Sequence, residues 1–284
     1  MFTTRPAAAA VAGSFYPAQP EALRCELARC FSAARNTTDL TIKSPKTSPK
    51  ALIVPHAGYI YSGEIAASAY NLLIHCRNKI NNVVLLGPVH RVWVPGLALP
   101  DATAFETPLG RVKLDQAGMA AIASLPQISV SAAAHAEEHS LEVQLPFLQS
   151  VLDDFTLLPL AVGGASPEQV AEVLEKVWGG EETLIVVSSD LSHFLVYAAA
   201  QRRDAVTAQA ILDLDTHLVG EQACGAHPIN GLALAARRHG LVAQLLDLRN
   251  SGDTAGSQDR VVGYAAFAFR SEEHTSELQS RYVI

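Results

Sequence analysis

Ala51-Leu52-Ile53-Val54-Pro55-His56-Ala57-Gly58-Tyr59-Ile60-Tyr61-Ser62-Gly63 is the stretch from which the fold can be read. Its apolar opening is too short for a helix, carries β-branched residues and stops at proline, so Ala51–Pro55 predicts a buried strand. After His56-Ala57-Gly58 the apolar spacing changes to that of a helix over Gly63–His75. The same unit recurs. Asn82–Gly87 reads as a strand followed by Pro88-Val89-His90, and Thr183–Ser188 as one followed by Ser189-Asp190-Leu191-Ser192-His193. Phe155–Val162, Leu241–Leu248 and Val261–Phe269 complete the expected strands.

Helical spacing is predicted over Asp115–Leu125, Ser140–Leu152, Pro167–Trp178, Ala198–Asp213 and Pro228–His239, with Ser166 capping the helix that Pro167 opens. Gly96–Leu114, with Thr107-Pro108-Leu109-Gly110 at its middle, reads as a hairpin. Strands alternating with helices imply an α/β fold, a three-layer α/β/α sandwich. Its central sheet should be mixed, because the hairpin and the last two strands lack crossover helices. Residues 34–50 are polar and proline-rich and are expected to form a surface loop.

A chain of 284 residues that is 49% hydrophobic can bury a large core, and one domain over residues 1–269 is expected. Residues 270–284 break the pattern. Arg270 to Ser280 resembles the conceptual translation of a sequencing-library adapter, so this tail is expected to be non-native. No apolar run approaches the roughly 18 residues that span a bilayer, and no signal peptide is recognisable, so a cytoplasmic location is expected. The net charge is −7 with no basic stripe, which argues against nucleic acid. Cys25, Cys30, Cys76 and Cys224 are scattered, without the spacing of a disulfide framework or structural zinc site. Cys25, Cys30 and Cys76 read as buried thiols.

In open α/β sheets, ligands gather beyond the C-terminal ends of the strands. Three strands here deliver His56, His90 and His193 to that region, and one adds Asp190. A lone histidine there is more often a structural hydrogen-bonding residue; three suggest a metal site. Imidazoles with one anionic group suit iron, zinc or copper, and either Asp190 or Cys224 could be that group. Cys224 stands just before the helix at Pro228 and close to His227, positions that favour a thiolate. His135-Ala136-Glu137-Glu138-His139 matches the short H-x-x-E-H pattern of zinc proteases. Ser140 reads as a helix N-cap, however, which would leave that motif outside a helix.

The blocks Arg5-Pro6, Ala12 to Pro17, Pro55 to Gly63, Leu86 to His90, Glu138 to Glu142, Leu145 to Phe147, Ser188 to Phe194 and Cys224 to Ile229 occur in the order found in the Memo family. The sequence resembles that family, whose bacterial and archaeal branch is known as protein B of the AmmeMemoRadiSam system. The resemblance implies a fold like the LigB-type extradiol dioxygenases, in which two His and one Glu hold non-haem Fe(II). It implies His56, His90 and Cys224 as metal ligands for Fe(II) or copper, with Cys224 where the dioxygenases carry Glu. It also implies His193 as the acid/base beside Asp190, with His139, His227 and Tyr59 lining a substrate pocket. AMMECR-type and radical-SAM proteins are the implied partners. Two departures matter: Cys replaces Glu, so that extradiol ring cleavage is not to be assumed, and Arg91-Val92-Trp93 follows His90 where relatives often have a second His, which is expected to alter the pocket rim.

Three functions compete on these residues. One is a metal-dependent oxidoreductase. A second is a non-catalytic module using the pocket for a peptide or partner protein, as the link between animal relatives and phosphopeptides suggests. A third is a thiol hydrolase pairing Cys224 with His227 or His193.

Overall fold

The computed structural model describes residues 6–37 and 48–271. In chain order the helix α1 (Pro20–Thr37) leads to the strand β1 (Ala51–Val54) and helix α2 (Tyr59–Tyr70), which tightens into a 3-10 turn over Asn71–Cys76. Then come β2 (Asn82–Pro88), β3 (Leu97–Leu99), β4 (Ala104–Thr107), β5 (Gly110–Leu114), α3 (Gln116–Ile122) and β6 (Ile128–Val130). The middle of the chain forms α4 (Ala132–Ala136), α5 (His139–Glu142), α6 (Leu145–Val151), β7 (Thr156–Val162), α7 (Pro167–Lys176) and β8 (Thr183–Ser188). The remainder is β9 (His193–Leu195), α8 (Tyr197–Leu212), α9 (Ala226–Arg238), β10 (Leu241–Asn250) and β11 (Val261–Ser271).

The sheet is mixed, in the order β10-β11-β1-β8-β2-β7-β3-β6. Its centre is parallel: β1 pairs with β8, β8 with β2, and β2 with β7. Every residue of β1 and β8 is buried, as expected for strands covered on both faces. The antiparallel pairs are β10–β11, β11–β1, β9–β11, β3–β7 and β4–β5. Helices flank the sheet in two groups, α1 with α2 and α6, and α7 with α9 and α3. The three-layer α/β architecture expected from the alternation is the one observed.

Several local expectations change. Gly96–Leu114 is not one hairpin: β4 and β5 turn at Pro108-Leu109, whereas β3 leaves them to join β7 and β6. The helix expected over Ser140–Leu152 breaks into α5 and α6. Pro146 sits in the first turn of α6, where its missing N–H is harmless; inside a continuous helix its ring would clash with the preceding turn. Ser140 is not the cap. Glu138 caps α5 by accepting from the Ser140 backbone N–H, and His139 is the first helical residue. The strands β6 and β9 are additional. Ser166 does cap α7, in a full capping box with Gln169.

Of the loop expected over residues 34–50, residues 38–47 lie outside the described residues. Arg270 and Ser271 extend β11 opposite Val242 and Leu241, and residues 272–284 of the expected tail lie outside the described residues. Cys25 is exposed rather than buried. Among the described residues no helix is long and apolar enough to cross a membrane.

Candidate metal centre

The parallel strands β1, β8 and β2 are neighbours, so the loops leaving them emerge side by side. His56 and His90 leave strands that flank β8, two strand spacings or roughly 9–10 Å apart, and their loops lean together over its end. Cys224 arrives from the turn before α9. That turn is tied to the end of β8: Cys224 N–H donates to Asp190 O at 3.2 Å and Gly225 N–H to Ser189 Oγ at 2.9 Å. A side chain at Gly225 would meet Ser189 Cβ at 2.6 Å, so this close approach requires glycine.

One ligand atom each from His56, His90 and Cys224 lie within 4.8 Å of one another. Cys224 Sγ is 3.2 Å from His56 Nε2. A first-row ion held at about 2.0–2.3 Å from nitrogen and sulfur needs ligand atoms roughly 3–4 Å apart, so this donor set fits one after a small closure. The nitrogens turned away from it are already engaged. His56 Nδ1 meets Ser188 Oγ at 2.9 Å, and His90 Nδ1 meets Glu138 Oε1 at 2.9 Å. A metal-bound histidine usually has its other nitrogen held in this way.

His139 belongs to the same cluster. Its ring stacks on His90 with centroids 4.6 Å apart and stands edge-on to His56 at 5.3 Å. His90, Glu138 and His139 form a second group of possible ligands within 4.8 Å. Phe15 closes this wall, its ring 4.6 Å from His139. The segment carrying Phe15 is fastened by the buried Glu142 carboxylate, which accepts from Ala10 N, Val11 N and Tyr16 Oη. Gly87 allows the opposite wall to close, because a Cβ there would strike Ser140 Oγ at 2.6 Å.

Burial dominates the electrostatics. It pushes the His56 imidazole down to about 3, helped by His90, and the His139 imidazole down to about 4, helped by His56 and His90. Both rings are therefore neutral at pH 7 and able to ligate. Burial works against ionisation of Glu138, but its hydrogen bond from the His90 ring and the backbone donors hold it at about 2. Asp190 is raised by burial; its Oδ1 accepts from the His56 backbone N–H at 2.8 Å, and its Oδ2 is 4.0 Å from His56 Nε2.

Cys224 corrects an expectation. Helix start and neighbouring histidine were expected to favour a thiolate, yet burial and then the Asp190 charge push the thiol up to about 12. His227 gives it no help. That ring is exposed and its Nδ1 donates to Ala165 O at 2.8 Å.

His193 is half-buried beside the cluster and donates from Nδ1 to Leu191 O at 2.9 Å, which leaves Nε2 free. Tyr59 is only 2% exposed, and its hydroxyl donates to Val143 O at 2.6 Å, so it is packed into the core. His135 turns away and bonds Ala98 O. The H-x-x-E-H motif is thus divided between α4 and α5, and Glu138 supports His90 instead of serving a two-histidine site on one helix. Ser188, Gln144 and Glu142 support the site from behind. Glu138 could have been noticed from its place beside His139; nothing in the sequence around Gln144 marks it.

The family model described as Memo-like protein matches residues 7–268. A MEMO1 family protein of Methanosarcina barkeri is 34% identical, over 90% of this chain and 97% of its own length. MEMO1 family proteins of Methanopyrus kandleri and Archaeoglobus fulgidus are each 35% identical, over 92% of this chain and 98% of theirs. The crystal structure of an uncharacterized Escherichia coli K12 protein overlaps at a TM-score of 0.48 with 12% identity, over 77% of this chain and 98% of that one, too loosely to argue from. With a match that spans all of the strand-end residues above, the chain belongs to the Memo-like protein family.

Proposed function

We propose that the protein is a metal-dependent redox protein in which His56 and His90 imidazoles and the Cys224 thiolate hold one first-row ion. Ferrous iron is the ion that the dioxygenase resemblance favours, and cuprous copper the one that a soft thiolate favours. The observation that carries this reading is the convergence of three ligand atoms within 4.8 Å from three separate segments, with the outward nitrogens of both rings already held. Bound there, such an ion supplies electron transfer and Lewis acidity to a small organic or peptide ligand.

The chain's own groups supply the rest. Asp190 sets the His56 backbone and places a carboxylate beside the cluster. His193 Nε2 can take or return a proton, while His139 and Phe15 exclude water from one side. A free-thiol hydrolase finds less support: His227 and His193 bond Ala165 O and Leu191 O, no hydrogen bond among the described residues joins either to the thiol, and burial with the Asp190 charge pushes that thiol up. AMMECR-type and radical-SAM proteins are the proposed partners.

Metal analysis of the purified protein tests the reading. The expected result is one ferrous or cuprous ion per chain, lost in His56→Ala. Wild type and His56→Ala equally empty after loading with Fe(II) or Cu(I) would overturn it. Alkylation of Cys224 provides a second view, since added ion should protect the thiol.

A recognition role is favoured by one observation. Trp93 and Phe194, 71% and 61% exposed, stand close in sequence to His90 and His193. Bulky apolar groups so placed suit a peptide or partner surface. Capture of the radical-SAM or AMMECR-type protein by an ion-free variant such as His56→Ala would favour this role.

A further inference from the structure

Behind His56 lies a buried polar cluster whose protons can be placed by elimination. From it we infer that Ser188, with its hydroxyl aimed by Gln144, is a positioning residue that sets which His56 nitrogen faces the cation. The functional consequence rests on His56 being a ligand, as proposed above; the proton arrangement stands on the protein alone.

The elimination starts from groups that can only accept. Gln144 Nε2 lies 2.9 Å from Pro55 O, and a carbonyl cannot donate, so the amide must turn its NH2 that way. Its oxygen then receives the Tyr70 hydroxyl at 2.9 Å, and its second N–H reaches Ser188 Oγ at 2.8 Å. Ser140 O is a second pure acceptor, 2.5 Å from Ser188 Oγ. Two oxygens that close must share a proton, and Ser188 has only one to give. With that proton directed to Ser140 and one lone pair filled by Gln144, Ser188 can only accept from His56.

His56 Nδ1, at 2.9 Å from Ser188 Oγ, therefore carries the hydrogen. A neutral imidazole has a single N–H, so Nε2 keeps its lone pair, 3.2 Å from Cys224 Sγ. The participants are all out of solvent: Ser188, Gln144, Ser140 and Tyr70 are 0% exposed and His56 1%. No water competes to scramble the arrangement, and a mispaired group would carry its full desolvation penalty. The same node joins the segment carrying His56 (through Pro55 O), the end of β8 that carries Asp190, and the Glu138–Ser140 turn (through Ser140 O). Ser188 thus fixes ring tautomer and segment spacing together.

Nitrogen-15 NMR of histidine-labelled, metal-free protein reads the tautomer directly, with His56 assigned through His56→Gln. The expected spectrum is a single Nδ1–H, bare-Nε2 form. A dominant Nε2–H form in the wild type would overturn the inference without any variant, so a misfolded mutant cannot shield it. In Ser188→Ala the His56 signals should move toward a mixture of tautomers, and Fe(II) affinity should fall by about 10–100-fold, the usual effect of removing such a support. Tyr70→Phe is the control for a disturbed core: Pro55 O still orients Gln144, and the tautomer should not change. Ser188→Ala with an unaltered spectrum and unaltered affinity would also overturn it. Wild type that shows the Nδ1–H form but binds no Fe(II) or Cu(I) would leave the proton arrangement standing and remove the metal reading instead.

Discussion

Where β1 and β8 begin, Lys50 directs its ammonium at Gly180 O and Thr183 O, 2.9 and 3.0 Å away, and bonds Trp178 O as well. Beside it His239 stacks on Trp178 with centroids 3.8 Å apart and gives its Nε2 to Glu175 at 2.8 Å. A cavity of about 360 Å³ opens there, yet its lysine is saturated by carbonyls and its histidine has a carboxylate. Where the same strands end, the imidazoles of His56, His90 and His139 crowd one another, and a protonated thiol touches a bare ring nitrogen. At the first end Lys50 and His239 are each held by several partners, although Arg270 Nε and Nη2 in the same cavity are buried without one. At the other, the imidazoles of His56 and His90 and the Cys224 thiol, from separate segments, turn toward one shared point with the rings' outer nitrogens held, which is the arrangement of a place where a cation could displace the thiol proton.

The hardest blow to that contrast comes from the sulfur. Cys224→Ala removes the one anionic ligand of the proposed set while leaving both rings supported. Ion retention after dialysis should drop by more than about 100-fold, as expected for loss of a directly bonded thiolate. Elemental analysis reads the outcome, and full retention by the variant would mean that the ion is held without Cys224, as the second group of His90, Glu138 and His139 would allow. Acidity gives the next largest effect. The thiol is pushed up to about 12 in the free protein, so each ion bound near neutral pH must expel its proton. His56, held near 3, has none to lose. Affinity should rise with pH by about tenfold per unit for that one proton, and titrations at several pH values should show this slope. A flat profile would indicate that the sulfur is not a ligand.

Glu138→Gln tests the outer support. The carboxylate receives His90 N and His90 Nδ1 on separate oxygens and Ser140 N as well, at 2.6, 2.9 and 2.8 Å. An amide has only one accepting atom, so at least one of these donors would face an NH2. Ion affinity should fall by about 10–100-fold, with a smaller drop in thermal stability.

How much of this contrast was legible in the sequence follows from which links are local. His56, His90 and Asp190 could be placed at strand ends because a short apolar run followed by Pro-His or Ser-Asp is a local pattern. That β8 lies between β1 and β2 could not be read, because pairing between strands so far apart leaves no trace in either one. Cys224 can be singled out from its place before a helix and from the resemblance: helix start and His227 are visible in sequence, whereas the burial and Asp190 charge that push its metal-free thiol up are properties of the fold. Ser140 shows the same limit. Its N-cap chemistry is correct in isolation, but Pro88 O on a distant strand claims its hydroxyl, and Glu138 takes over the cap. Tyr59 is a pocket residue only by the resemblance, and α2 turns it into the core.

The Lys50 end makes a complementary prediction. Lys50→Met keeps most of the stem volume but leaves the carbonyls of Trp178, Gly180 and Thr183 without their donor. The expected loss is about 1–3 kcal/mol of stability, measured by denaturant unfolding, with ion affinity unchanged. A coupled loss of affinity would show that the two ends are not independent.

The smallest expected effect concerns strain at the binding end. Phe194, next to His193, is held at φ 61°, a left-handed conformation that is rare for a bulky residue. Its ring is largely exposed, with Arg260 5.0 Å above it, so little packing offsets the backbone strain. Asn tolerates this conformation better, and Phe194→Asn should stabilise the fold by up to about 1 kcal/mol. Strain of that kind persists where an exposed ring has work to do that stability does not record. The same substitution should therefore weaken capture of an apolar peptide or partner while leaving the ion in place. A variant that is no more stable and binds every partner equally well would mean that the left-handed turn is ordinary loop geometry, and the contrast between the two ends would then rest on the metal ligands alone.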